Sequence, residues 1–272
     1  METPADTFTP SALRHSYPWK LFWVLLAAGM FGVLAVMPLL LDLLRPFLAK
    51  TPLPLPLPLL LVLQFLQSAI LLALAVGFGL LLARKSGLGV PIVESWLSGE
   101  NVRHRLRLVL LPGIVAGLGV GLVLFLLVKF VFLPRIPALP LIAEADISLW
   151  KRVLASFYGG IVEELLMRLF LLSLLAWLLG KIWRGVNGRP NTGVLWTANF
   201  IAAIIFGLGH LPSASMVMAI TPIVVVAALV LNGIAALVFG YLYWTKGLEA
   251  AVVAHFSADI VIHVLGPAFL KT

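Results

Sequence analysis

Polar side chains that can move protons lie inside long apolar stretches of this sequence. They form three groups along the chain: Glu163, Glu164 and Arg168; His210; and His255 with Asp259. A carboxylate or guanidinium near the middle of a membrane-spanning helix costs about 2.5 to 3.5 kcal/mol, so each group needs a partner or a function. Two acids and two imidazoles that face one another would supply a base, an acid and hydrogen-bond donors to an oxyanion.

The spacing of these residues predicts which of them meet on a helix. Glu164 and Arg168 are four residues apart with the acid first, so we expect an ion pair on one helix face. Glu163 points about 100° away from Glu164, toward another helix or a water-filled cavity. Four-residue spacing also places two later pairs on shared faces: Phe206 with His210, and His255 with Asp259.

A bundle that brings the three groups together would keep all of them out of lipid. An interhelical hydrogen-bond network that only holds the bundle together is the structural alternative. Ser, Thr or Asn could fill that role at a lower desolvation cost, so the three groups together predict a functional polar pocket.

Three motifs in this order resemble those of the CAAX-protease and bacteriocin-processing family of intramembrane endopeptidases, which includes the type 2 CAAX prenyl endopeptidase. The motifs are Glu163-Glu164-xxx-Arg168, Phe206-xxx-His210 and His255-xxx-Asp259. The resemblance covers residues 150–265 and includes the turn Lys246-Gly247-Leu248. The first 150 residues carry no motif.

The resemblance implies a role for each motif residue. Glu163 and His210 would activate a water molecule that attacks a peptide carbonyl, and His255 with Asp259 would stabilise the oxyanion. Glu164, Arg168 and Phe206 would support them. The family accepts Asn or Asp at the last position of the third motif, which is Asp259 here. An ionised Asp cannot donate a hydrogen bond. Asp259 would therefore either be protonated or orient His255.

A divalent metal is the alternative use of the same groups. Glu163, His210 and His255 would make a three-ligand zinc site with an open position for water. The sequence has no HExxH motif and no cysteine ligand. We expect His263, two turns beyond His255, to be a helix-end or interfacial residue.

Two further function classes compete with a peptidase. The same architecture could act without catalysis, as an immunity or scaffold protein in the membrane. Intramembrane acids and histidines also occur in proton-coupled transporters, but the sequence shows no internal repeat with paired broken helices. For a peptidase, we expect a membrane-associated protein or peptide as substrate. Residues 1–150 contain no recognisable site for a lipid chain, so the resemblance does not imply a prenylated substrate.

Composition excludes an ordinary soluble globule. Of 272 residues, 62% are hydrophobic and only 11% are charged, which is too little polar surface to cover a soluble fold. Lys and Arg flank the apolar runs, so the net charge of +8 indicates contact with lipid headgroups rather than nucleic acid. We predict an all-α polytopic bundle of seven or eight spans.

The apolar runs define the spans and a division of the chain. We expect a polar tail at 1–20, an N-terminal transmembrane region of three spans at 21–150, and the catalytic transmembrane region at 151–266. The expected spans are 21–44, 59–83, 108–133, 155–180, 193–210, 216–244 and 248–266. Pro222 or Asn232-Gly233 could divide the run 216–244 into two elements.

Proline and glycine predict local features of the first half. The alternating prolines of 51–58 predict an extended connector. Gly113, Gly117 and Gly121 predict close packing of the third span against another helix. Asp146 or Ser148 is the expected N-cap of the helix that carries Glu163.

Lys and Arg are more frequent in the N-terminus and in the loops 84–107 and 181–189 than in the loops between them. The positive-inside rule therefore predicts a cytoplasmic N-terminus. We expect an integral protein of a bacterial cell membrane.

Overall fold

The computed structural model describes residues 18–48, 53–136, 141, 144–183, 185 and 189–270. Nearly all of the predicted tail 1–20 and part of the connector 51–58 lie outside these residues. The α-helices of the described residues, some with π-helical turns, are α1 (Trp19–Leu48), α2 (Leu57–Ser86), α3 (Pro91–Leu97), α4 (Arg103–Phe132), α5 (Leu149–Ile182), α6 (Thr192–Gly209), α7 (Leu211–Ser215), α8 (Pro222–Lys246), α9 (Leu248–Leu265) and α10 (Pro267–Leu270). A short 3-10 helix, Glu144–Asp146, precedes α5.

Seven helices of the described residues are long and apolar enough to cross a membrane. Many of their large apolar side chains point outward, as in Leu63, Leu66 and Ile70 of α2. A water-soluble surface would not carry such an apolar belt, whereas lipid tails solvate it. The protein is therefore an integral membrane protein with an all-α fold, as predicted.

The number of spans is settled by α8. Pro222 occupies the first turn of α8, where its missing N–H costs nothing. The helix then continues through Asn232 and Gly233, and Asn232 Nδ2 donates to Ala228 O at 2.9 Å within it. The run 216–244 thus contributes a single span, and the described chain has seven.

The glycine stripe of α4 packs against α9, as the sequence predicted. A side chain at Gly117 would collide with the Ala254 carbonyl oxygen, and one at Gly113 would lie 3.0 Å from Ala250 O. Because lipid gives little hydrophobic drive for helices to associate, such close backbone contact is a main source of stability between spans. It also fixes α9, which carries His255.

The other face of the bundle is held by apolar side chains around α5. Leu72 and Leu80 of α2 and Leu165 and Leu169 of α5 are almost fully buried in one cluster. Gly79 of α2 lies so close to α5 that an added Cβ would be 2.9 Å from Leu169 O. The helix with the acidic motif is therefore enclosed by protein rather than lipid.

Two short-range predictions are confirmed in part. The connector predicted as extended over 51–58 is already helical at Leu57 and Pro58. Pro56 has φ −54° and ψ 135°, an extended polyproline conformation, and α2 begins only at Leu57. Ser148 stands at the N-cap position of α5, although its side chain makes no capping hydrogen bond. In contrast, residues 91–97 form the short helix α3, within a segment predicted as loop.

Candidate active site

The acidic motif lies in a stretch of α5 where the backbone is π-helical. Residues Tyr158–Glu163 and Leu165–Leu172 form π-helical segments within the span. Such widened turns are rare and are frequent at functional sites. Here they accompany two acids with different surroundings: the Glu164 side chain is fully buried, whereas that of Glu163 is 22% exposed.

Glu164 forms the predicted ion pair with Arg168. Arg168 Nη1 lies 3.0 Å from Glu164 Oε1, and Nη2 donates to Ala236 O at 3.3 Å. The guanidinium also lies over the rings of Phe206 and Phe239, at 5.2 and 5.6 Å from their centroids. Both charges are buried, so each depends on the other for compensation.

His255 of α9 joins this pair. Its Nδ1 donates to Glu164 Oε1 at 2.7 Å, and its ring stacks on Phe239 with centroids 4.7 Å apart. A carboxylate on Nδ1 fixes the orientation of an imidazole and leaves Nε2 for chemistry. Glu164 therefore positions His255 across the interface between two spans.

The second nitrogen of His255 faces the other two acids. Nε2 lies 3.6 Å from Glu163 Oε2 and 3.6 Å from Asp259 Oδ1. A methyl group at Gly159 would collide with Asp259 Oδ2 and lie 3.0 Å from His255 Nε2. The absence of a side chain at Gly159 is what allows α5 and α9 to bring these groups together.

His210 directly follows the last residue of α6 and lines the cavity. Its Nδ1 donates to Phe206 O at 2.8 Å, so Nε2 of the neutral ring is free to accept a proton. The Phe206 ring meets the His210 ring edge-on at 4.7 Å between centroids, and the His255 ring at 6.2 Å. Phe206 thus packs against both imidazoles, and the predicted face shared by Phe206 and His210 is present.

The four residues predicted to do chemistry line one cavity of about 520 Å³: Glu163, His210, His255 and Asp259. Apolar side chains form most of the remaining wall, including Leu39, Leu43 and Leu124. The supporting residue Phe206 also lines it, whereas Glu164 and Arg168 are packed behind the wall. The polar groups of three spanning helices therefore meet in one cavity.

The predicted metal ligands are not arranged as a metal site in this structure. No group of three or more His, Asp or Glu side chains among the described residues could hold a metal ion. Glu163, His210 and His255 line the cavity without forming such a group.

Sequence reasoning missed two members of the cavity wall. Glu144 lies outside the spans, in the short helix Glu144–Asp146, and its Oε2 accepts from His263 Nδ1 at 2.8 Å. His263, expected at a helix end or interface, lines the cavity. No spacing rule joins residues 119 positions apart, so only the fold could reveal this pair.

Comparison with known proteins supports the resemblance over the motif region. Residues 145–261 match the family model described as type II CAAX prenyl endopeptidase Rce1-like. This range contains all three motifs and ends two residues after Asp259. A search of curated proteins and a search of solved structures each found no match.

Proposed function

We propose that this Rce1-like membrane protein is a CAAX-type intramembrane endopeptidase, which hydrolyses a peptide bond of a membrane-associated protein or peptide. The observation that carries the proposal is the meeting of Glu163, His255 and Asp259, with 3.6 Å from His255 Nε2 to each carboxylate, in the cavity that His210 also lines. The family match over residues 145–261 supports the same reaction class.

In this proposal Glu163 and His210 activate water. Each presents an unoccupied proton acceptor to the cavity: a Glu163 carboxylate oxygen and the Nε2 of His210. The water oxygen bonds to the peptide carbonyl carbon as its proton passes to the base. The same proton is then delivered to the leaving nitrogen as the C–N bond breaks. The new carboxylic acid passes the remaining water proton to the amine, so the products are a carboxylate and an ammonium group.

His255 stabilises the charge that develops on the carbonyl oxygen. Its Nδ1 is held by Glu164, so an imidazolium can donate from Nε2 to the oxyanion. Asp259 can add a second donor only in its protonated form, and in its ionised form it orients His255. Glu164, Arg168 and Phe206 act as positioning residues.

The cavity wall fits a substrate delivered from the bilayer. Leucines of α1 and α4 line the same cavity as the polar groups, so apolar residues next to the scissile bond can be bound without exposing them to water. We also infer a cytoplasmic N-terminus from the distribution of Lys and Arg, and we propose a bacterial cell membrane as the location.

The experiment is cleavage of membrane-tethered peptides by the purified protein in lipid vesicles, with products identified by mass spectrometry. We expect one peptide bond to be cut by the wild type and not measurably by Glu163→Gln. Glu100→Gln is the matched control, because Glu100 is exposed and pairs only loosely with Arg105 at 3.5 Å. Equal cleavage by the wild type and Glu163→Gln would refute the proposal. Full biological activity of a Glu163→Gln variant that cuts nothing would favour a non-catalytic scaffold or immunity role.

A further inference from the structure

Three basic side chains meet where α2 and α5 end. Lys85 lies in the last turn of α2 and Lys181 in the last turn of α5. Both Nζ atoms lie over the ring of Trp177, at 5.5 and 3.7 Å from its centroid. Arg189 approaches from the segment after α5, and a Cβ added at Gly87 would lie 3.4 Å from its Cδ and 3.7 Å from its Cζ. Lys85, Lys181 and Arg189 thus form one basic cluster from three segments of the chain.

The segments that build the basic cluster supply no carboxylate to balance it. No Asp or Glu occurs in residues 43–93 or in residues 165–248. Glu94, the first acid after the earlier range, interacts with Arg84. Within the part of the chain that the structure describes, the three side chains of the basic cluster belong to no ion pair. The balancing anion therefore has to come from outside the protein.

The ends of α2 and α5 balance only part of this charge. The C-terminus of a helix carries about half a negative charge, so the two helix ends together contribute about one. The basic cluster carries three positive charges at neutral pH, because Lys and Arg titrate far above it. A surplus of about two positive charges remains, and all three side chains are exposed and can reach a ligand.

An exposed apolar surface lies next to the basic cluster on the same two helices. Leu81 and Phe78 precede Lys85 by four and seven residues, and both are exposed. Leu178 precedes Lys181 by three residues and is also exposed. Residues with these spacings share a helix face, so the apolar surface extends from the basic cluster toward the middle of the membrane. A ligand with an anionic head and hydrocarbon chains matches both parts, whereas a free anion matches only the basic cluster.

We propose that the basic cluster binds the phosphate headgroup of an anionic phospholipid whose acyl chains lie along α2 and α5. Basic pockets between spanning helices recognise such headgroups. The basic cluster differs from scattered Lys and Arg at a membrane surface because its side chains converge from three segments around one indole. Lys181 lies eighteen residues beyond Glu163 in α5, roughly 25 Å along a helix. The lipid site is therefore separate from the cavity and does not depend on the proposed peptidase function.

The first test measures lipid binding to the purified full-length protein in a neutral detergent by native mass spectrometry. Phosphatidylglycerol and phosphatidylcholine with identical acyl chains are the probes. We expect the first molecule of phosphatidylglycerol to bind at least about 10-fold more tightly than phosphatidylcholine. Glycerol phosphate, which has no acyl chains, should bind far more weakly than phosphatidylglycerol. Equal affinity for the two lipids, or equally tight binding of glycerol phosphate, would overturn the proposal.

The second test removes the two lysines of the basic cluster. The double variant Lys85→Gln with Lys181→Gln should bind phosphatidylglycerol at least about 10-fold more weakly than the wild type does. The matched control is Arg103→Gln with Arg107→Gln, which removes the same charge from exposed positions near the start of α4 and should keep the lipid preference. Lys85→Arg with Lys181→Arg should keep it as well. Equal losses in the two Gln pairs would indicate general attraction to a basic surface and contradict the site.

Arg189→Gln tests the basic cluster at a position outside the helices. Because Arg189 is exposed, this variant should unfold at the wild-type temperature in detergent without lipid. It should bind phosphatidylglycerol about 5-fold more weakly, and added phosphatidylglycerol should raise its unfolding temperature less than that of the wild type. Wild-type affinity in both Arg189→Gln and the lysine double variant would reject the site, whether or not the protein cleaves peptides.

Discussion

His255 Nδ1 donates a hydrogen bond to Glu164 Oε1 at 2.7 Å and so joins two spanning helices whose residues are 91 positions apart in sequence. The same carboxylate oxygen lies 3.0 Å from Arg168 Nη1. One fully buried acid therefore connects a structural ion pair to an imidazole of the cavity. The neighbouring acid, Glu163, faces the cavity itself, and this division between two adjacent glutamates leads to the first prediction.

Glu164→Gln should mainly lower the stability of the protein, whereas Glu163→Gln should mainly stop cleavage. Removing the Glu164 charge leaves Arg168 buried and unpaired, which costs about 3 to 5 kcal/mol of unfolding free energy. Glu163 is partly exposed to the cavity and pairs with no arginine or lysine, since its neighbour is His255 Nε2 at 3.6 Å. Glu163→Gln should therefore stop cleavage with little change in stability. Thermal unfolding in detergent and cleavage rates measure both effects. Similar unfolding temperatures for the two variants would contradict the assignment of Glu164 as a positioning residue.

The helix spacing of the sequence predicted much of this arrangement, and its limits have physical causes. Pairs four residues apart, such as Glu164 with Arg168, could be predicted because one helix fixes both side chains. The partnership of Glu164 with His255 could not, because it depends on how α5 and α9 pack. The sequence also could not show whether Pro222 begins a helix or divides one, because proline is common both in the first turn of a helix and at helix breaks.

Gly159→Ala should impair both activity and stability. The added methyl group would collide with Asp259 and crowd His255, so α5 and α9 must move apart. Overpacking of this kind costs about 1 to 3 kcal/mol, and the displaced groups should lower the cleavage rate severalfold or more. Gly119→Ala is the matched control, because nothing lies within 4 Å of the position of its new Cβ. Equal behaviour of the two alanine variants would show that the close approach at Gly159 is unimportant.

Substitutions of Asp259 separate its two proposed roles. If Asp259 donates to the oxyanion, Asn can replace it and should retain activity within about 10-fold, whereas Asp259→Ala should lose about 10²-fold or more in kcat. We expect this ordering, measured as kcat on a single peptide substrate. An Asn variant as inactive as the Ala variant would instead indicate that the carboxylate charge itself orients His255.

Chelation distinguishes the two hydrolytic mechanisms. The proposed chemistry uses Glu163 and His210 as bases, so EDTA and 1,10-phenanthroline should leave the cleavage rate unchanged. Elemental analysis of the active protein should find zinc far below one atom per chain. Loss of activity on chelation, with recovery on adding zinc, would favour the three-ligand site predicted from Glu163, His210 and His255.

The most direct test of the central claim is a double-substitution measurement of kcat/KM on a membrane-tethered peptide. If Glu163 of α5 and His210 of α6 act on one water molecule in one cavity, each Gln variant should lose at least about 10²-fold. The kcat/KM of the double variant should then be no lower than that of the less active single variant, because the effects of substituting residues that act as a unit are not additive. Losses that multiply, or a His210→Gln variant with wild-type activity, would contradict the shared site.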